Sequence, residues 1–113
     1  MFWQTTYGFM KQSITALAQD LVPILQLEWQ ARESASLGDY YCYPPRQLGE
    51  NSQSVEKFAL YQNHIWFEGW KEPQFKNCGV ILKVITERPL EVDKLLFSKL
   101  QGKVVVVERK IFE

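Results

Sequence analysis

Four consecutive valines, Val104 to Val107, limit what this chain can become. Successive residues of a strand point to opposite faces, so a half-exposed strand would turn two of these valines to water. A continuous β-branched run is the pattern of a strand covered on both faces, and Val104–Val107 is therefore predicted to lie centrally in a sheet. The run from Gly79 to Thr86 is almost as apolar, broken only by Lys83, and reads as its neighbour or near neighbour. Between the two, Pro89 to Gln101 carries the punctuation of a helix. Pro89 suits the first turn, where its missing N–H costs nothing, and Gly102 can take the left-handed conformation that ends a helix. Glu91 and Asp93 fall at the positive end and Lys99 near the negative end. Val92, Leu95, Leu96 and Leu100 form one apolar stripe that can lie on the sheet. A helical connection of this length permits an adjacent, parallel pair of strands.

Upstream, Ile14, Leu17, Ala18, Leu21, Leu25 and Trp29 recur at helical spacing and predict a helix over residues 9 to 35, with Gly38 as a stop. Pro23 removes one backbone bond and crowds the preceding turn, so the helix is expected to kink or split there. From Asp39 to Ser54 the chain reads as a long loop with an extended Pro44-Pro45 step, or in part as an edge strand from Asp39 to Tyr43. Phe58–Tyr61 and Ile65–Phe67 flank Gln62-Asn63-His64 and predict a β-hairpin, its Asn tolerating a tight turn. The whole, residues 1–113, reads as one α+β domain. A mixed sheet of about four strands, the hairpin plus the strand–helix–strand unit, would be covered by the Pro-kinked N-terminal helix and the second helix.

Composition matters chiefly for what it excludes. Apolar residues make up 46% of the chain and aromatic ones 14%, which is ample core material. With 13 basic and 13 acidic residues the net charge is zero, so nothing resembles the basic footprint of a nucleic-acid binder. Near-neutrality leaves little repulsion between copies and favours self-association. No run is long and apolar enough for a membrane span, and no signal-peptide pattern opens the chain. The expectation is a cytoplasmic protein with Cys42 and Cys78 as reduced thiols.

The inventory of chemistry is thin. His64 is the only histidine. On a strand it would share a face with Trp66, Glu68 and Trp70, which suggests a small ligand site or, as a third choice, an acid–base pair of His64 and Glu68. No nucleophile signature accompanies it. Cys42, His64 and Cys78 lack the close pairing of metal ligands, and the scattered glycines form no phosphate cradle. Neither metal nor cofactor is expected. The stronger signals are aromatic. Tyr40, Tyr41 and Tyr43 beside the double proline form a candidate binding surface for a protein partner, the alternative being that they fold back over the sheet as a lid on the core. Phe2, Trp3, Tyr7 and Phe9 must be buried in this chain, in a partner or in a homodimer interface. The sequence is accordingly read as a non-enzymatic interaction module, expected to be a homodimer. The alternative is a binding module for an apolar or cationic small molecule, its pocket walled by Trp29, Trp66, Trp70 and tyrosines.

Overall fold

The computed structural model describes residues 2–10, 13–34, 38–43, 56–65 and 69–112. The first stretch is a strand, β1 (Phe2–Met10). Its Trp, Thr, Tyr and Phe side chains favour a pleated surface, and Trp3, Thr5, Tyr7 and Phe9 share one face. The expected helix over 9 to 35 is corrected: among the described residues of that span only Ile14–Leu25 is helical (α1), while Phe9 and Met10 belong to β1 and Gln30–Ser34 to a second strand. Ser13 caps the helix by accepting the Ala16 amide at 3.1 Å. Gln26, left-handed at φ 56°, ends it by donating its own N–H to the Val22 carbonyl. Pro23 lies inside the last turn and the helix does not split there; the apolar stripe ends at the left-handed Gln26 and does not continue as helix through Trp29.

The remaining elements are β2 (Gln30–Ser34), β3 (Gly38–Tyr43), β4 (Lys57–Gln62), β5 (His64–Ile65), β6 (Gly69–Trp70), a single 3-10 turn (Pro73–Phe75), β7 (Cys78–Thr86), α2 (Pro89–Lys99) and β8 (Val104–Phe112). Among the described residues six strands form one sheet in the order β2-β3-β4-β7-β1-β8, and β5 pairs with β6 in a separate ribbon. Every ladder is antiparallel, which corrects the expectation of a mixed four-stranded sheet. The predicted strand–helix–strand unit is present as β7–α2–β8. Its strands run in the same direction, but β1 lies between them and pairs with both. In the same way β1 and β4 flank β7, with α1, β2 and β3 in the connection. These two interlocked split units give β4-β7-β1-β8 the arrangement of the ferredoxin-like fold, extended on one side by β3 and β2.

The four valines are not central. β8 is the last strand of the sheet, and among the described residues its only ladder is to β1. The ladder passes from Thr6↔Glu108 to Tyr7↔Val106, so Val107 is the extra residue of a bulge. Val104 is buried, whereas Val106 is 38% exposed.

One core joins the sheet to both helices. Tyr7 and Phe9 of β1, Val80, Leu82 and Val84 of β7, and Phe58 and Leu60 of β4 share the face on which α1 and α2 lie. Leu17, Ala18, Leu21 and Leu25 come from α1, and Val92 and Leu96 from α2. These are the helical stripes read from the sequence, each cut to its helix. Tyr7 and Phe9 are therefore core residues and offer no surface to a dimer partner.

The predicted hairpin is also redrawn. β4 pairs with β3 and β7, and Ile65 pairs with Gly69, while Trp66 and Phe67 lie outside the described residues. Asn63 marks the departure from the sheet, but as an anchor instead of a turn tip. It is fully buried, donates from Nδ2 to the Cys78 carbonyl at 2.8 Å and to the Phe75 carbonyl at 3.1 Å, and accepts the Glu72 amide on Oδ1 at 2.7 Å. One side chain thus ties β4 to the connection that leads into β7.

Candidate functional site

Two ionic clusters brace the start of α2. On one side Asp93 Oδ1 accepts the Tyr7 hydroxyl and Arg109 Nη2, both at 2.5 Å, while Arg109 Nε donates to Thr5 Oγ1 at 3.0 Å. Burial, reinforced by the hydrogen bond to Asp93, pushes the Tyr7 hydroxyl far above its ordinary range, so it acts as a fixed donor. On the other side Arg88 grips Glu56 with two bonds, Nε to Oε2 at 2.6 Å and Nη2 to Oε1 at 3.0 Å. Thr86 Oγ1 donates to the same Glu56 oxygen and accepts the Arg88 amide. The Arg88 guanidinium holds the Glu56 carboxyl below the usual carboxylate range. Glu91 sits 3.4 Å from Arg88 and is largely exposed.

Between the clusters lies a cleft of about 500 Å³, walled by Trp3, Glu87, Arg88, Pro89, Leu90, Glu91 and Arg109. Trp3 reaches it from the start of β1, Arg109 from β8, and the rest from the first turn of α2 and the residues before it. Leu90 is 72% exposed, so the cleft shows water an aliphatic side chain beside an indole. The volume falls in the range of sites for small organic molecules. Among the described residues its lining includes no cysteine, histidine or serine.

The residues singled out from sequence fall in several places. Tyr40, Tyr41 and Tyr43 belong to β3, an interior strand and not a loop or an edge, and all three are half-buried. Tyr41 lies 6.3 Å from Trp29, ring centre to ring centre, and Tyr43 lies 6.0 Å from Phe58. Trp29 folds back onto α1, its indole N–H donating to the Ala18 carbonyl at 2.9 Å. Tyr43 also borders a hollow of about 420 Å³ with Val22, Gln26, Leu27 and Glu28. His64 and Trp70 do meet, but across the β5–β6 ladder and not along one strand, with ring centres 4.6 Å apart. Lys76 lies over the Trp70 ring at 5.7 Å. Trp66, Glu68 and the double proline lie outside the described residues. Trp29 and Trp70 thus belong to separate aromatic pairs, not to one shared wall. Phe2 and Trp3 are half-buried at the start of β1.

Reading the sequence missed the cleft and both clusters. Thr5, Glu56, Thr86, Asp93 and Arg109 are brought together from β1, the approach to β4, β7, α2 and β8, and no spacing rule links them. Only Glu91 and Asp93 carried a local signal, as acids at a helix start. Both cysteines are free, with Cys78 buried. Among the described residues no cluster of histidine, cysteine and carboxylate could hold a metal ion, and no helix is long and apolar enough to cross a membrane. No model of a known protein family matches the chain, and no curated protein matches it significantly.

Proposed function

We propose that this chain is a non-enzymatic, cytoplasmic interaction module that associates with a second copy of itself through the outer edge of β8. The carrying observation is the contrast between the two edges of the sheet. At one edge β2 is short and polar, Gln-Ala-Arg-Glu-Ser, the kind of edge that discourages further pairing. At the other, β8 spans nine residues, has a ladder only on its β1 side among the described residues, and exposes Val106 and Ile111, the latter by 49%. A long apolar edge is a template for another strand. Four valines there, rather than at the sheet's centre, are what an edge covered by a partner needs.

Charge selects the partner as a second copy. In an antiparallel two-fold pairing centred on Arg109, Glu108 of each copy faces Lys110 of the other. Arg109 then faces its own counterpart, each already neutralised by its own Asp93. Within one chain Glu108 and Lys110 stand opposite Thr6 and Gln4, so reversing either charge creates no clash in its own ladder.

Light scattering on the whole chain tests the reading. Wild type is expected to be a dimer, Lys110→Glu and Glu108→Lys monomers, and the double reversal Glu108→Lys/Lys110→Glu a dimer again. A monomeric wild type overturns the proposal, and so does a dimer indifferent to both single reversals.

A further inference from the structure

We infer that the cleft at the start of α2 binds a small organic cation carrying an apolar or aromatic body. The cleft shares Arg109 with the proposed β8 pairing, but the groups that would meet the ligand, Trp3, Pro89, Leu90 and Glu91, lie outside that strand. Its volume of about 500 Å³ lies within the range of small-molecule sites. Its walls offer an indole from Trp3, the Pro89 ring and the exposed Leu90 side chain. Such a surface rewards an apolar body, and an indole face adds attraction for a positive charge.

Charge decides between cation and anion. Two guanidiniums line the cleft, and both are already engaged. Arg88 is held by Glu56 through two short bonds, and Arg109 is held by Asp93. An anion would have to compete with those carboxylates for groups they grip in charge-assisted geometry. The start of α2 is answered as well, since Glu91 stands in its first turn. Glu91 is 66% exposed, and its contact with Arg88, at 3.4 Å, is the longest in the cluster. Its carboxylate can turn to a ligand without breaking a short bond. A cation seated against Trp3 would therefore meet an indole face and an available carboxylate, with both arginines neutralised by other partners. In an ammonium ligand the charged group would sit between Trp3 and Glu91 and the body against Pro89 and Leu90. No bond is made or broken, so the event is binding alone.

The experiment is an NMR titration of the ¹⁵N-labelled full chain with three probes of similar size: benzyltrimethylammonium, benzyl alcohol and 3-phenylpropionate. The cation is expected to give saturable shifts at the Trp3 indole N–H and at the Leu90 and Glu91 amides. The alcohol should bind more weakly and the carboxylate at least tenfold more weakly. Trp3→Leu is expected to lower the cation's affinity several-fold to tenfold. Glu91→Gln, at an exposed helical position where the fold is not at risk, should lower it by a smaller factor and flatten its dependence on salt. Equal or tighter binding of 3-phenylpropionate overturns the inference. So do shifts that saturate only around Trp70, and the absence of saturation by the cation at tens of millimolar. The dimer's own test does not depend on any of these outcomes.

Discussion

The Tyr7 hydroxyl lies 2.5 Å from Asp93 Oδ1, joining a central strand to the second helix across most of the chain's length. Asp93 shares that oxygen with Arg109, so one carboxylate fixes α2 to both β1 and β8. Replacing it by Asn keeps the shape and removes the charge that holds Arg109. Asp93→Asn is expected to destabilise the fold by about 1–3 kcal/mol, as for other partly buried charged hydrogen bonds. Tyr7→Phe should cost about 1 kcal/mol, and the two losses should not add, because both act on the same oxygen. Urea unfolding of the two variants and their combination measures this coupling.

Gly8 pairs with Ile81 in the β1–β7 ladder, and the Cys78 side chain, diagonally across it, leaves no room for a side chain there. A Cβ placed there would stand 2.6 Å from the Cys78 sulfur. Gly8→Ala is expected to cost about 1–3 kcal/mol through overpacking of a buried site. Removing the sulfur in Gly8→Ala/Cys78→Ala should return part of that loss. Equal stability of Gly8→Ala and wild type in thermal unfolding would contradict the close contact.

Asn63 carries the polar network at the end of β4. Asn63→Ala leaves the Cys78 and Phe75 carbonyls and the Glu72 amide without their partner. Such a change should cost about 3 kcal/mol or more, since several buried groups lose a bond at once. Hydrogen exchange should speed up first at the amides of Lys71 and Glu72, which bond to Asn63 itself.

Glu56 sets the expected response to acid. Its carboxyl is held low, mainly by the Arg88 hydrogen bonds and also by Thr86. The folded form thus binds a proton less readily than the unfolded one. The contribution is complete above the ordinary glutamate pKa of about 4.3, and it is lost as pH falls through the lower folded value. Glu56→Gln should therefore flatten the decline of stability below about pH 4.3. Thermal midpoints measured down the acid range for both proteins read this out directly.

The cysteines should differ in chemistry. Burial pushes the Cys78 thiol up and shuts out reagent, whereas Cys42 is half-buried. Iodoacetamide is expected to label Cys42 in the native protein and Cys78 only after unfolding. Mass spectrometry of peptides from native and urea-treated samples distinguishes the two sites.

Local patterning accounts for much of the architecture. The unit from Gly79 to Phe112 was legible because each of its parts obeys a rule confined to a few neighbours: a β-branched run, a proline opening a helix, a glycine after it. α1 was legible as a stripe, yet its ends were not. The apolar spacing runs on to Trp29 although the helix stops at Leu25, since Trp29 is half-buried by folding back and not by continuing the turn. β1 was missed because its aromatics were weighed as surface needing cover. They are the pleated face of a strand, with Tyr7 and Phe9 at the centre of the core.

The chain's own residues, read in order, determined the two apolar helical stripes, the strand-forming runs of β7 and β8, and the poverty of catalytic groups. Those features follow from interactions within a turn or a pleat, which sequence neighbours decide. Strand order was decided only in three dimensions. β1 inserts between β7 and β8, and this alone puts a four-valine strand on the edge instead of in the middle. The cleft was decided there as well. Trp3, Arg88 and Arg109 are brought together by the sheet and by the two carboxylates that clamp α2 to it. Ladder partners and ion pairs such as these act between residues far apart in the chain, and no local pattern encodes which of them will meet.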